Sequence, residues 1–325
     1  MAQRGSTDRG NTISPRVVPV NDVIAKPVDD KQRDRLVRRF GTGALHWLDG
    51  LPGLVSELTE EWGCTVEGMG PHGQTSVVFH CRRADGSAAV LKASPDPALI
   101  DAEGRVLAFW ASTSRVPEVY EVDAKRGGIL MEAVEPGFTV AEIGTVPPME
   151  QISALITDLH SVGADESERW ELHPLVSRVN FLFDLWERAR TEGVAADLVP
   201  APLMHHGHAL ARSLAWEGDN AVPLHGELHP GNILDGGVKR GLVAIDPRGC
   251  LGDPAYDAID WAVWKAESLD EIEERCVVLA AGIGVPSQRL FRWCVAFAPV
   301  FATALANRGR ADTQAFRVAM ELATA

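Results

Sequence analysis

The segment from Leu224 to Asp257 decides the fold, and it reads LHGELHPGNILDGGVKRGLVAIDPRGCLGDPAYD. An acidic residue, Glu227, and an amide, Asn232, lie close together in a stretch that His-Gly and Pro-Gly pairs keep irregular. Further along, Asp246 ends the apolar strand pattern LVAID. The segment therefore predicts a strand-turn-strand unit with three oxygen-bearing side chains at its ends.

These three side chains suit phosphoryl transfer, in which the protein mainly positions reacting groups and supplies Mg²⁺. Asp246 offers a carboxylate and Asn232 a carbonyl oxygen, which are ligand types that Mg²⁺ prefers. Glu227 is placed to accept the proton of an attacking hydroxyl group. Each residue alone is also an ordinary turn or strand-end residue, so the joint spacing is what favours a kinase site.

A second group of residues upstream has the order expected of a nucleotide site. Residues 68–73 spell GxGxxG between two predicted strands, which excludes a dinucleotide-binding fingerprint and leaves a hairpin that covers phosphates. Lys92 ends the third predicted strand, and Glu103 lies on the helix that follows. This is the order of a lysine that contacts nucleotide phosphates and a glutamate that holds the lysine.

Hydrophobic periodicity predicts helices at both ends of the chain and strands between them. Residues 30–63 predict two helices, interrupted at Gly41, Gly43 and Pro52. Residues 64–131 predict three strands, then one helix, then two more strands, with turns at the Asp-Gly and Gly-Gly pairs.

The remainder of the chain is helical in pattern, which predicts an α+β protein with two lobes. We expect residues 1–28 to form a disordered tail, because their composition is polar and without apolar periodicity. Residues 29–135 would form a small β-rich N-lobe with the nucleotide-binding hairpin and the preceding helices. Residues 136–325 would form a larger, mainly α-helical C-lobe with the catalytic loop and the acceptor site.

The charge balance narrows the class of partner. The 325 residues carry a formal net charge of −14, which has the wrong sign for a protein that binds nucleic acid by counterion release. A neutral or cationic small molecule fits this charge better. We expect no nucleic-acid partner, and a monomer or a weak dimer.

Membrane and disulfide classes are also disfavoured. The longest apolar run, Trp293 to Ala306, is shorter than the roughly 20 residues that a membrane span needs, and the first residues lack the apolar stretch of a signal peptide. The five cysteines are scattered and form no CxxC pair, so we expect small buried apolar residues rather than disulfides. These features predict a cytoplasmic protein without a membrane partner.

Together these motifs resemble the aminoglycoside phosphotransferase family, which has the protein-kinase-like fold, and within it the streptomycin 6-kinase and hydroxyurea phosphotransferase group. The resemblance covers roughly residues 35 to 310. It rests on WLDGLPGLVSELTEEWG (47–63), GQTSVVF (73–79), RRADGSAAVLK (82–92), EGRVLAFW (103–110), LHGELHPGNIL (224–234) and AIDPRGCLGDPAYD (244–257).

The resemblance implies an ATP- and Mg²⁺-dependent O-phosphotransferase that confers resistance by phosphorylating an aminoglycoside-type antibiotic such as streptomycin, or hydroxyurea. It implies that Lys92 contacts the ATP phosphates, that Glu103 holds Lys92, and that Asn232 and Asp246 bind Mg²⁺. The run MEAV would be the hinge whose backbone contacts adenine. The implied nucleotide contacts are Lys92, Glu103, Gly70, Gly73, Ser76, Met131, Glu132 and Val134, and the implied catalytic base is Glu227.

Glu227 departs from the family pattern, which has an aspartate at this position. The glutamate arm is longer by one methylene, about 1.5 Å, and a displacement of that order can cost about a hundredfold in rate. We therefore expect the protein to bind Mg²⁺ and ATP but to transfer phosphate slowly, and we expect Glu227→Asp to raise kcat; a slower variant would mean that the loop is adapted to glutamate. Two alternatives therefore stay open: a nucleotide-binding protein with weak activity, and a metabolite kinase of the same fold.

Overall fold

The computed structural model describes residues 28–70, 73–163, 172–216 and 220–325. The chain forms two compact units, of which the first ends at Pro95 and the second begins at Asp96. Apart from Val28, the predicted tail lies outside the described residues. The predicted division by function into residues 29–135 and 136–325 stays a prediction.

The first unit opens with two helices, α1 (Asp30–Phe40) and α2 (Gly43–Glu61), as the periodicity predicts. The Asp29 side chain accepts a hydrogen bond of 2.8 Å from the Gln32 N–H, which satisfies one donor at the start of α1. The break between the helices falls at Gly41, whose φ of +76° is a conformation that glycine adopts at little cost.

Pro52 does not interrupt α2, which differs from the sequence expectation. Proline removes one backbone hydrogen bond from a helix and disfavours the helical turn before it. Leu51, Val55 and Leu58 are buried on one face of α2 at helical spacing on either side of this point. Burial of that face continues the helix through the proline.

Three antiparallel strands follow in the first unit: β1 (Cys64–Met69), β2 (Val77–Arg83) and β3 (Ala88–Ala93). All three are confirmed predictions. Val77, Phe79 and Cys81 are buried at alternate positions of β2, which is the period that a strand with one covered face requires. The predicted turn between β2 and β3 contains Gly86 at a φ of +84°.

The second unit begins with α3 (Pro97–Trp110), followed by the hairpin of β4 (Val119–Asp123) and β5 (Gly128–Glu132). The Asp96 side chain accepts a hydrogen bond from the Ala98 N–H, and a proline occupies the first turn, which together mark the helix start. These elements also match the prediction.

The rest of the second unit is mainly helical. Its helices are α4 (Val140–Ile143), α5 (Met149–His160), α6 (Leu175–Glu192), α7 (Ala201–Trp216), α8 (Gly237–Arg240), α9 (Ile259–Val263), α10 (Leu269–Ile283), α11 (Ser287–Asn307) and α12 (Gln314–Leu322). Helix α11 has more buried residues than any other described helix, and Trp293 and Phe297 from this helix contact each other and Tyr256 in the core.

Two small sheets interrupt these helices and position the candidate site. In one, β10 (Cys250–Gly252) pairs with β6 (His173–Pro174) and with β7 (Val222–Leu224). The other is the antiparallel pair β8 (Ile233–Asp235) and β9 (Leu242–Ala244). The irregular segment of the GELHPGN motif therefore lies between β7 and β8, and Asp246 follows β9.

Helix α11 corrects one sequence expectation. Across the described residues it is the one helix long and apolar enough to cross a bilayer, because it extends beyond the run Trp293 to Ala306 at both ends. Length therefore does not exclude a span, and burial is the more informative property. Of its most apolar window, 67% is buried inside the structure, which is typical of a core helix. The five cysteines are free and buried, as predicted.

Gly207 allows α7 to approach α11 closely, which gives a test of this core. A Cβ atom at Gly207 would lie 2.4 Å from the Ala296 carbonyl oxygen, so the two helix backbones would have to separate. We expect Gly207→Ala to lower the free energy of unfolding by about 2 kcal/mol, measured by urea denaturation. Gly50→Ala is the control, because a Cβ there meets nothing within 4 Å, and it should be neutral or stabilising. Equal stability of the two variants would contradict the packing described.

Candidate active site

The pairing of β8 with β9 brings Asn232 and Asp246 to the same end of one hairpin. Ile233 lies opposite Ala244 in the register, and the Ile245 N–H donates a hydrogen bond of 2.9 Å to the Asn232 carbonyl oxygen. Residues that are fourteen positions apart in sequence thus become neighbours. Because this arrangement depends on backbone hydrogen bonds, it holds the two backbones in a fixed register.

The loop before Asn232 is anchored by the Asp257 carboxylate. Its Oδ2 accepts hydrogen bonds from the His225 N–H at 2.8 Å and from His160 Nε2 at 3.0 Å, and its Oδ1 accepts from the Gly226 N–H at 2.9 Å. Although burial opposes ionisation, these donors hold the pKa of Asp257 below its usual value. Asp257 therefore holds the loop that precedes Glu227.

Gly226 is required at its position for two reasons. Its φ is +77°, and a Cβ atom there would lie 2.4 Å from the Arg248 carbonyl oxygen. The Arg248 N–H also donates a hydrogen bond of 2.8 Å to the His225 carbonyl oxygen. The loop before Glu227 therefore packs directly on the segment that follows Asp246.

His225 is fully buried and stacks on Trp110, with ring centroids 6.1 Å apart. Burial lowers the pKa of His225 to about 4, so the ring is neutral at pH 7. Its Nε2 lies 3.0 Å from the Ile245 carbonyl oxygen, and its Nδ1 accepts from the Glu227 N–H at 3.3 Å. A neutral ring with its proton on Nε2 satisfies both contacts, so His225 braces the loop.

Asn232 and Asp246 have the donor chemistry of a magnesium site. The Asn232 side-chain nitrogen donates a hydrogen bond of 2.9 Å to the Glu227 carbonyl oxygen, so its amide oxygen faces the other way and can act as a cation ligand. Asp246 has a φ of +56°, which is uncommon outside glycine and often found at functional positions. A hard cation such as Mg²⁺ fits this carbonyl and carboxylate pair.

Glu227 contacts two arginines that the sequence analysis did not select. Arg178 Nη2 lies 3.1 Å from Glu227 Oε1, and Arg248 Nε lies 3.5 Å from Oε2. Arg178 also donates from Nε to the Gly226 carbonyl oxygen at 3.2 Å. Arg248 could have been found from its place beside Asp246, whereas Arg178 lies on α6 outside every motif.

In the first unit, the predicted phosphate-covering hairpin contains a buried polar group without a partner. Among the described residues, nothing hydrogen-bonds to Ser76 Oγ, although Ser76 is only 1% exposed. A Cβ atom at Gly73 would lie 2.6 Å from this hydroxyl, and one at Gly70 would lie 2.8 Å from Val78 Cγ1. A phosphate oxygen could accept a hydrogen bond from this hydroxyl, and the two glycines are required because a side chain at either position would clash with Ser76 or Val78.

The other predicted nucleotide contacts are distributed over both units. Lys92 on β3 belongs to the first unit, Glu103 on α3 belongs to the second, and both are buried. Met131 and Glu132 end β5, and Val134 follows. The Glu132 N–H donates to the Glu118 carbonyl oxygen, and its carboxylate contacts Arg240, so only other backbone groups of this segment can bind a ligand.

The fold is that of a kinase that phosphorylates hydroxyl groups, and Glu227, Asn232 and Asp246 are the candidate base and metal ligands. The family model described as aminoglycoside/hydroxyurea antibiotic resistance kinase matches residues 61–309. The chain therefore belongs to this family of kinases.

Two curated relatives agree with this assignment. The chain is 29% identical to the hydroxyurea phosphotransferase of Kitasatospora aureofaciens over 267 aligned residues. The alignment covers 79% of this chain and 74% of the relative. It is also 29% identical over 242 residues to the streptomycin 6-kinase of Streptomyces glaucescens, and this alignment covers 74% of this chain and 75% of the relative.

A solved structure supports the fold at lower identity. The choline kinase of Streptococcus pneumoniae superposes with a TM-score of 0.56 at 12% identity, over 83% of this chain and 96% of that chain. The predicted protein-kinase-like fold is thus confirmed.

The buried, neutral His225 predicts a specific pH dependence of stability. Its pKa of about 4 in the folded state is below the ordinary value of 6.5, so the unfolded chain binds a proton that the folded chain does not. Stability should therefore fall as the pH drops from 6.5 towards 4, by about 2 kcal/mol between pH 7.5 and pH 5 from this residue. We expect His225→Gln to remove that part of the slope, measured by urea denaturation across the pH range. An unchanged slope would show that His225 is not buried as a neutral ring.

Proposed function

We propose that the protein transfers the γ-phosphoryl group of ATP to a hydroxyl group of a small antibiotic of the streptomycin type, or of hydroxyurea. The relatives at 29% identity are named for these two acceptors. Phosphorylation of the acceptor would inactivate it and confer resistance. A cytoplasmic location fits this role because ATP and the drug would meet there.

One observation carries this proposal: a candidate base and two candidate metal ligands are held on one frame of backbone hydrogen bonds. Asn232 donates to the Glu227 backbone, and the β8–β9 pairing brings Asp246 beside Asn232. Phosphoryl transfer depends mainly on positioning and electrostatic stabilisation, so a rigid frame of this kind is what the reaction needs.

We assign the binding of Mg²⁺ to Asn232 and Asp246. When bound, the ion would neutralise charge on the nucleotide phosphates. The amide oxygen of Asn232 is directed away from the Glu227 carbonyl, and Asp246 is held in an uncommon backbone conformation beside it. The carboxylate would carry most of the attraction for the ion, because it is the charged member of the pair.

We assign the phosphates of the nucleotide to residues of the first unit. Ser76 would donate its hydroxyl hydrogen to a phosphate oxygen, with Gly70 and Gly73 allowing the backbone to approach. Lys92 would contact the phosphates. Burial of the Lys92 side chain supports this role, since a buried charge is costly unless it is paired.

Adenine would contact the backbone of the segment Met131, Glu132 and Val134. The Glu132 N–H is committed to the hairpin of β4 and β5, which leaves the Glu132 carbonyl oxygen and the Val134 N–H as the proposed contacts. The Glu132 side chain would not take part, because its carboxylate contacts Arg240 and the Glu118 N–H.

The reaction would be a direct displacement. The acceptor hydroxyl oxygen attacks the γ-phosphorus, its proton passes to the Glu227 carboxylate, and the bond to the bridging oxygen breaks to release ADP. Glu227 is held within reach of solvent, with about a third of its side chain exposed, as a residue that meets a diffusing acceptor must be. The net charge of −14 favours a neutral or cationic acceptor, and we expect the enzyme to act as a monomer or a weak dimer.

A substrate panel tests this function. Purified protein with Mg²⁺ and ATP would be offered streptomycin, hydroxyurea and an amino alcohol such as choline, with ADP release and product mass measured for each. Phosphorylation of streptomycin or hydroxyurea is the expected result. Transfer to the amino alcohol alone would favour a metabolite kinase, and tight ATP binding without transfer would favour a nucleotide-binding protein of weak activity.

Asp246→Asn tests the assignment of the metal carboxylate. Asparagine tolerates a positive φ, so the fold should be kept, while the charge that attracts Mg²⁺ is lost. We expect kcat to fall at least about a hundredfold, with the melting temperature nearly unchanged. Asp312→Asn, at an exposed position outside the site, should leave kcat unchanged. Near-normal turnover by Asp246→Asn would show that another residue is the metal carboxylate.

A further inference from the structure

Each carboxylate oxygen of Glu227 faces one arginine, and Arg178 makes the shorter of the two contacts. Arg178 Nη2 lies 3.1 Å from Oε1, against 3.5 Å for the Arg248 contact with Oε2. The same guanidinium donates from Nε to the Gly226 carbonyl oxygen at 3.2 Å. Arg178 therefore contacts both the side chain of Glu227 and the backbone immediately before it.

The guanidinium of Arg178 is itself restrained. Its side chain is only 12% exposed, it projects from the 18-residue helix α6, and it lies over the Phe181 ring at 5.6 Å from the ring centroid. A planar guanidinium with two donors engaged has little freedom to follow a carboxylate that moves. The position of the Arg178 guanidinium is therefore fixed, and the length of the Glu227 side chain brings its carboxylate into contact with it.

The loop backbone is equally unable to move towards Arg178. The N–H groups of His225 and Gly226 are bound by Asp257, and Gly226 packs on the Arg248 carbonyl oxygen with no space for a Cβ atom. An aspartate at position 227 would be shorter by about 1.5 Å, roughly one carbon–carbon bond. Its carboxylate would then lie beyond hydrogen-bond distance of the guanidinium, because neither side can close the gap.

We propose that Arg178 is a positioning residue that sets the Glu227 carboxylate for the acceptor hydroxyl, so that the loop is adapted to glutamate. This inference rests on the proposed function. It reverses the expectation from the sequence that Glu227→Asp raises kcat, because the shorter variant should be slower. The longer glutamate side chain then places the carboxylate correctly for transfer, and the parent is a competent kinase.

A double-mutant cycle of kcat tests the proposal, with the best acceptor from the panel. Glu227→Asp and Arg178→Met should each lower kcat by about tenfold or more, with KM for ATP changed by less than about twofold. In the Glu227→Asp background, Arg178→Met should cost less than about twofold further, because the shortened carboxylate no longer contacts the arginine. Arg178→Lys keeps the charge but cannot engage both acceptors in the same way, so it should recover only part of the rate.

The matched control is Arg188→Met, which removes an exposed arginine from the same helix and should leave kcat unchanged. If Arg178 acted only by stabilising the fold, Arg178→Met would lower kcat and the melting temperature equally in both backgrounds, which overturns the proposal. Faster transfer by Glu227→Asp than by the parent also overturns it, and this comparison stands even if Arg178→Met fails to fold. A parent that transfers phosphate to no acceptor would instead overturn the proposed function, and this inference with it.

Discussion

The Asp257 carboxylate is the constraint on which the rest of the site depends. It accepts hydrogen bonds from two successive backbone N–H groups, those of His225 and Gly226, and a third from His160. Removal of this carboxylate would leave these buried donors without partners, at a cost of about 1 to 3 kcal/mol each. Because charge-assisted hydrogen bonds are directional and strong, one buried side chain fixes where the chain passes into the loop of Glu227.

Two further sets of contacts connect this anchored loop to the candidate metal ligands. Gly226 packs on the carbonyl oxygen of Arg248, so the anchored loop also fixes the segment that follows Asp246. The Asn232 side chain holds the Glu227 carbonyl, and the pairing of β8 with β9 relates Asn232 to Asp246. The backbones of the three candidate residues are thus positioned by contacts that involve the main chain.

Neither the fold nor the family membership determines which acceptor this protein phosphorylates; that depends on residues outside the motifs. A choline kinase shares the fold at a TM-score of 0.56 with only 12% identity, so one framework can serve very different acceptors. In this chain the glutamate at position 227 contacts an arginine on α6. The carboxylate of this candidate base and the guanidinium of Arg178 have to be considered as a pair, because the length of the glutamate side chain matters only in relation to the position of the arginine.

Local sequence determined much of this protein. Alternating and helical periodicity predicted the strands of the first unit, the helix α3, the hairpin β4–β5 and the helical remainder, since these patterns reflect contacts between near neighbours in the chain. The spacing of Glu227, Asn232 and Asp246 predicted a strand-turn-strand unit for the same reason. Periodicity was less informative where packing overrides local preference, as at Pro52 in the continuous helix α2 and at the ends of α11.

Only the tertiary structure decided which distant residues meet. Arg178 lies 49 positions before Glu227 and carries no motif, yet it contacts the Glu227 carboxylate because α6 packs beside the loop. The same holds for His160 on α5, which reaches Asp257, and for the buried Ser76 hydroxyl, whose lack of a partner among the described residues has no sequence signature. A sequence records spacing along the chain, whereas these contacts depend on distances across it, and those are fixed only when the helices and sheets have packed.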